Sequence, residues 1–245
     1  MRIGIVVDST CDLPESYFKQ HRIRIMPISI RLGDDLLVDE RNAAAARHFY
    51  AEQISSKGVS AESIPFSAEQ IQSVFLQRLV IDYDLVFCVT VSSKHSPIFE
   101  NATKAAFGIL KRYREVRAAA DVPGPFSMRV IDSKTLFAGT AVLVAEAAQM
   151  IEKGANPNEI RLKIDEMVSN ICGYMVPADL AYVRDRGFKK GVRKSWADSM
   201  RGMALTFGSA YSITSWVSAA KPTVNGRFSC RATAAMMSGL LISVR

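Results

Sequence analysis

The sequence predicts an α/β protein: a parallel-sheet N-terminal domain with helices on both faces, followed by a second, smaller α/β domain. Three observations lead there. Ile3–Val7, Leu85–Val91 and Arg129–Ile131 are short runs rich in Val and Ile, as buried parallel strands are. Longer helical segments alternate with them, as crossover connections require. Each run also ends in small polar residues: Asp8-Ser9-Thr10, Ser92-Ser93 and Asp132-Ser133-Lys134.

The elements come in order. After the first strand, Asp12 reads as an N-cap and Pro14 as part of the first turn of a helix running to about Gln20. Arg22–Ile30 alternates charged and apolar residues around Pro27, which reads as one strand near a sheet edge. Gly33-Asp34-Asp35 is a turn, Asn42–Ser56 an Ala-rich helix, and Ser60–Pro65 an extended link. Ser67 with Gln70 three residues on forms a capping-box pattern. Strand, loop and helix then recur over residues 85–114 and 129–153, the last helix closing at Gly154. Asn156-Pro157-Asn158 divides domain 1–155 from domain 156–245. The smaller domain should open with a helix over about Pro157–Asn170, continue with a strand at Gly173–Val176 and close on a helix.

Composition narrows the function classes. The chain has 245 residues, 49% of them apolar, enough for a sizeable core. Its 31 basic and 24 acidic residues leave a net charge of +7. That excess favours acidic partners, but no nucleic-acid-binding signature accompanies it. Cys11, Cys88, Cys172 and Cys230 are widely spaced, which argues against zinc and dithiol chemistry and fits a reducing cytoplasm. His21 and His48 have no metal-ligand companions nearby. No secretory signal precedes the first strand, and no apolar run is long enough for a transmembrane helix. A soluble cytoplasmic protein is expected, touching membranes at most transiently. Neither Gly-x-Gly-x-x-Gly nor a Walker loop occurs, so nucleotide binding by either device is disfavoured.

What remains is the hydroxyl clusters. In an open parallel sheet, ligands bind beyond the carboxyl ends of the strands. Hydroxyls gathered there offer donors without a fixed counter-charge, which suits a carboxylate or phosphate oxygen. Ser96 before Pro97 can cap the following helix, whose N-terminus would favour an anion. Asp8, Lys94, His95, Ser133 and Lys134 stand beside these hydroxyls. Residues Arg184–Lys194 carry six cations in eleven positions, either a solvated loop or a docking patch for an acidic partner.

These motifs, in this order, resemble the DegV family of bacterial fatty-acid-binding proteins. Val7-Asp8-Ser9-Thr10-Cys11-Asp12-Leu13-Pro14 is similar to the family's opening D-S-T-x-D-L-P. Ser92-Ser93-Lys94-His95-Ser96 is similar to its S-S-x-x-S loop, and Val130-Ile131-Asp132-Ser133-Lys134 to its V-I-D-S-K. Glu146-Ala147-Ala148 and Asp179-Leu180-Ala181-Tyr182-Val183 continue the likeness to about residue 190.

The resemblance implies two α/β domains with a long-chain fatty acid in a tunnel between them. It places the carboxylate on Ser93, Ser63, Ser92 and Ser96, with Ser9 and Thr10 close by, and makes Glu62, Lys94, His95 and Ser133 secondary candidates. It implies no catalytic residue, no metal and no cofactor, the bound acid being the ligand. It also implies presentation of that acid to a separate fatty-acid kinase. The chain departs from the family pattern where Glu62 replaces a Thr and where Lys94 and Pro97 replace Gly. The family's closing segment, with its His and Gly-rich turns, is not found. Two other classes stay open: an enzyme on a small anionic substrate using His95 or Asp8, and a regulatory scaffold using Arg184–Lys194.

Overall fold

The computed structural model describes residues 1–32, 34–42, 44, 45, 47, 48, 51, 61–175 and 240–244. In chain order come β1 (Ile3–Asp8), α1 (Glu15–Gln20), β2 (Arg24–Met26), β3 (Ile28–Leu32), β4 (Asp35–Asp39) and β5 (Ala61–Pro65). They are followed by α2 (Ala68–Val74), β6 (Leu85–Thr90), α3 (Ile98–Ala119), β7 (Ser127–Asp132), α4 (Ala138–Glu152) and α5 (Pro157–Asn170). β8 (Ile171–Met175) and β9 (Leu240–Val244) pair with each other. Helix α2 runs on through a π-helical stretch, Phe75–Leu79, into a last short turn, Val80–Asp82. Ala44, Ala45, Arg47, His48 and Ala51 are helical, within the expected Ala-rich segment.

The three hydrophobic runs form the centre of a parallel sheet of order β2-β1-β6-β7. Side chains alternate across a strand, so each strand feeds two cores. Val6, Val86, Cys88 and Met128 pack with Ile71 of α2, with Phe75 and Leu79 of its π-helical continuation, and with Ala102, Ala105 and Ile109 of α3. Ile5, Val7, Phe87 and Val89 pack on the opposite face with Phe18 of α1, Val144 of α4, and Ile160 and Ile164 of α5. Helices on both faces therefore follow from strands that are apolar at successive positions. Each large side chain fully buried here contributes about 1.5–3 kcal/mol.

Arg117, on the last turn of α3, is only 2% exposed. Its guanidinium donates to the carbonyls of Val80, Tyr83 and Pro123 and to Asp84 Oδ1, at 2.7–3.1 Å. Asp84 also accepts from the Arg2 backbone and guanidinium, and these hydrogen bonds hold its carboxyl well below the usual range.

The capping box read from sequence at Ser67 with Gln70 forms, and a second, at Asn156 with Glu159, opens α5. Gly154 takes a φ of +72°, which closes α4 in the left-handed region. Three expectations are corrected. The strand anticipated over Arg22–Ile30 is two strands, because Pro27 has no N–H to donate. β2 stays in the parallel sheet, whereas β3 leaves it and pairs antiparallel with β4 and β5. Pro14, not Asp12, occupies the N-cap of α1, with φ −61° and ψ 147°. Proline forces the residue before it to be extended, so the helix cannot start earlier. Asp12 instead meets Arg41 at 3.0 Å. The chain's last described segment is a strand rather than the expected helix; Ile242 and Val244 favour the extended state.

By contacts the chain divides into two units, Met1–Gly173 with Ile242–Arg245, and Tyr174–Leu241. Helix α5 belongs to the first of these and packs on the parallel sheet through Ile160 and Ile164. Residues Arg184–Lys194, Asp179–Val183 and most of the expected closing helix lie outside the described residues.

Candidate functional site at the strand ends

From β1 the chain crosses to β2 on one side and later returns to β6 on the other. The connection reverses between β1 and β6, and the loops after these two strands diverge around that point. Such a switch point is where an open α/β sheet leaves a crevice for a ligand.

Asp8 ends β1 fully buried. Its Oδ2 accepts the backbone N–H of Val91 at 2.6 Å, and its Oδ1 accepts the backbone N–H and the hydroxyl of Thr10. Burial raises the Asp8 carboxyl above its usual range, against the lowering effect of those donors. Burial first, then the neighbouring Asp8, also pushes the Cys11 thiol up. Cys88 is likewise a buried free thiol, raised by desolvation. With both oxygens occupied and no exposure, Asp8 is a staple between β1 and β6 rather than a group that can reach a substrate.

The serines divide by exposure. Ser9 is 3% exposed, and its hydroxyl accepts the N–H of Ile28 at 3.1 Å. Ser92 is 2% exposed; its hydroxyl accepts from Lys94 N and its own N–H donates to the Thr135 carbonyl. Ser133 is fully buried, donating to the Thr135 carbonyl and accepting from Thr140. Pro97, not Ser96 as expected, is the N-cap of α3, because the helix begins only at Ile98; the Ser96 hydroxyl, one residue earlier, accepts from Ile98 N at 3.3 Å.

Ser93 alone among the serines of the β1, β6 and β7 loops is exposed. Its hydroxyl donates to Asp132 Oδ2 at 2.6 Å, and its N–H to Asp132 Oδ1 at 3.1 Å. Asp132 Oδ1 also receives the N–H of Lys134, whose φ is +53°. Lys94 and His95 are exposed on the same loop as Ser93.

Ser63 sits on β5, opposite Ile30, and is exposed. The start of this second sheet is tied to the end of β1, since Ile28 pairs with Pro65 and donates to Ser9. Ser63 lies two residues before Pro65, on the same face of β5. Glu62, on the other face, lies 3.8 Å from Arg31 across the ladder, so its charge is partly answered.

The structure thus knits the ends of β1, β6 and β7 through Asp8–Val91, Ser92–Thr135 and Ser93–Asp132. Sequence reasoning passed over Asp132 as a partner of Ser93. The signal was its position, which matches that of Asp8 at a strand end. Among the described residues no group of three or more His, Cys, Asp or Glu could hold a metal ion. No helix among them is long and apolar enough to cross a membrane. His21 stacks on Tyr17 at 4.1 Å with its Nδ1 2.9 Å from Glu152, a structural setting.

Residues 2–225 match the profile of the DegV family, described as uncharacterised. A DegV domain-containing protein of Xanthomonas axonopodis pv. citri is 46% identical over 193 residues, covering 79% of this chain and 62% of that relative. The chain therefore spans less than two thirds of that relative's length. A fatty acid-binding protein of Thermotoga maritima is 31% identical over 172 residues, 69% of this chain and 54% of its own. Among solved structures, a Streptococcus pneumoniae Fatty Acid Kinase B3 protein loaded with linoleic acid superposes with a TM-score of 0.55. It shares 19% identity and covers 71% of this chain and 56% of its own length, a likeness of fold.

Proposed function

Because the chain belongs to the DegV family, we propose that it binds a long-chain fatty acid, with the carboxylate at Ser93 and the hydrocarbon enclosed by the protein. The observation that carries this reading is the accessible Ser93 hydroxyl at the end of β6, beside the switch point of the sheet. Ser9, Ser92 and Ser133 are buried beside it; the Ser9 and Ser92 hydroxyls accept backbone N–H groups and keep a proton to offer, whereas Ser133 donates to the Thr135 carbonyl. Ser63 and Ser96 are the next donors available, while the Thr10 hydroxyl donates to Asp8.

Affinity then comes mostly from the tail, at about 0.8 kcal/mol per buried methylene. The head-group donors orient the acid. The protein carries out no chemistry itself, works in the cytoplasm, and hands its ligand to a separate kinase that phosphorylates the carboxylate. The likeness to the pneumococcal kinase's B3 protein supports that last step. Residues 176–239, on which the rest of the acyl enclosure would fall, lie outside the described residues.

Ser93→Ala removes one hydrogen bond to a charged group, worth about 1.5–3 kcal/mol. Because the ligand must take that proton from Asp132, the net loss is about 0.5–1.5 kcal/mol, and fatty-acid affinity should fall roughly twofold to tenfold in a fluorescence titration. Unchanged affinity would place the carboxylate elsewhere.

A further inference from the structure

The proton of the Ser93 hydroxyl is already assigned. A serine has one O–H to donate, and in this structure it goes to Asp132 Oδ2 at 2.6 Å, while the Ser93 N–H goes to Asp132 Oδ1. A ligand carboxylate brings two acceptor oxygens and no hydrogen. It can take the Ser93 proton only by exchanging places with the Asp132 carboxylate, against the like charge of that group. A head group that can donate, such as an alcohol, meets no such competition, because the Ser93 oxygen still has lone pairs to accept with.

We infer that Asp132 is a specificity-determining residue: it competes with the ligand carboxylate for the Ser93 hydroxyl and so weakens binding of anionic head groups relative to neutral ones. The inference rests on the fatty-acid reading above and adds a residue and a selectivity to it. Asp132 keeps two other donors, the backbone N–H groups of Ser93 and Lys134, so it stays anchored when the hydroxyl turns away. The exchange therefore costs one hydrogen bond and leaves the loop in place. Lys94 and Lys134, exposed beside Ser93 and Ser133 in the chain, favour an acid over an alcohol and so act against Asp132.

The test uses the full chain and two probes of equal length, hexadecanoic acid and hexadecanol, titrated against wild type, Asp132→Asn, Ser93→Ala and the double variant. Asp132→Asn should bind the acid about tenfold more tightly, the scale of one hydrogen bond to a charged group. Hexadecanol should change by no more than about twofold. In the Ser93→Ala background the gain for the acid should vanish, because the competition runs through that hydroxyl. A loss of both probes in Asp132→Asn would overturn the inference, since Asp132 would then be orienting Ser93 productively. A gain that persists without the Ser93 hydroxyl would overturn it too, as a general charge effect. Asp132→Ser reads the same way where the asparagine variant does not fold. Wild type that binds neither probe would sink the fatty-acid reading itself, a result distinct from an inverted selectivity.

Discussion

Asp8→Ala should lower the free energy of unfolding by about 3 kcal/mol, seen as a fall in the urea midpoint at constant slope. The substitution leaves the Val91 N–H, 2% exposed, without its 2.6 Å acceptor. It also strips the backbone N–H and hydroxyl of Thr10 of theirs. A buried donor left unsatisfied costs about 1–3 kcal/mol, and two backbone donors are affected. Relief of the buried charge offsets part of this, because burial already raises the Asp8 carboxyl. Asp8→Asn separates the contributions. It abolishes the charge and keeps one acceptor oxygen, so it should cost less than alanine. An alanine variant within about 1 kcal/mol of wild type would show that the β1–β6 staple does not matter to stability. So would an asparagine variant less stable than the alanine one.

Arg117→Met should be at least as damaging, at about 3–5 kcal/mol, the scale for breaking a buried, hydrogen-bonded charge. Methionine fills much of the space of the arginine stem but provides no donor. The carbonyls of Val80 and Tyr83, at the end of the helical stretch before β6, lose their partner, as does that of Pro123. A helix end has carbonyls with no intrahelical donor, so this guanidinium completes it. Asp84 retains only Arg2. Arg117→Lys should recover a minor share, since one ammonium nitrogen cannot span positions served by two guanidinium nitrogens. Chemical denaturation of the three proteins decides the matter. Lysine as good as arginine, or methionine within about 1 kcal/mol, would contradict this account of the joint.

The role of Arg117 could not be read from the sequence, and the reason is physical. Arg117 lies in a helix with Lys111, Arg112 and Arg114, where a cation ordinarily faces water. Its burial depends on the turn before β6 arriving beside the end of α3, a tertiary fact. Asp8 and the serines after the strands were legible as a cluster, because parallel strands bring their carboxyl ends to one edge. Which hydroxyl stays accessible was not legible. Ser9 and Ser93 look alike in sequence, yet one caps the entry to β3 and the other meets Asp132.

Local signals fared better where the chemistry is confined to a few residues. The Ser67–Gln70 pair encodes its own cap, and Gly154 its own left-handed turn. Pro27 was visible, but its consequence depended on a competing sheet. β4 and β5 offered β3 new partners, so the chain turned away from β1 instead of continuing along the edge. Residues Leu240–Val244 needed β8 as a partner before strand could win over helix there.

The central claim is that this chain carries a fatty acid. Mass spectrometry of the organic-soluble material released when the purified full chain is denatured tests it most directly. The account predicts one long-chain fatty acid per protein molecule, reduced in the Ser93→Ala variant. Protein that is folded and free of any acyl compound, and that stays so after incubation with fatty acid, would contradict it.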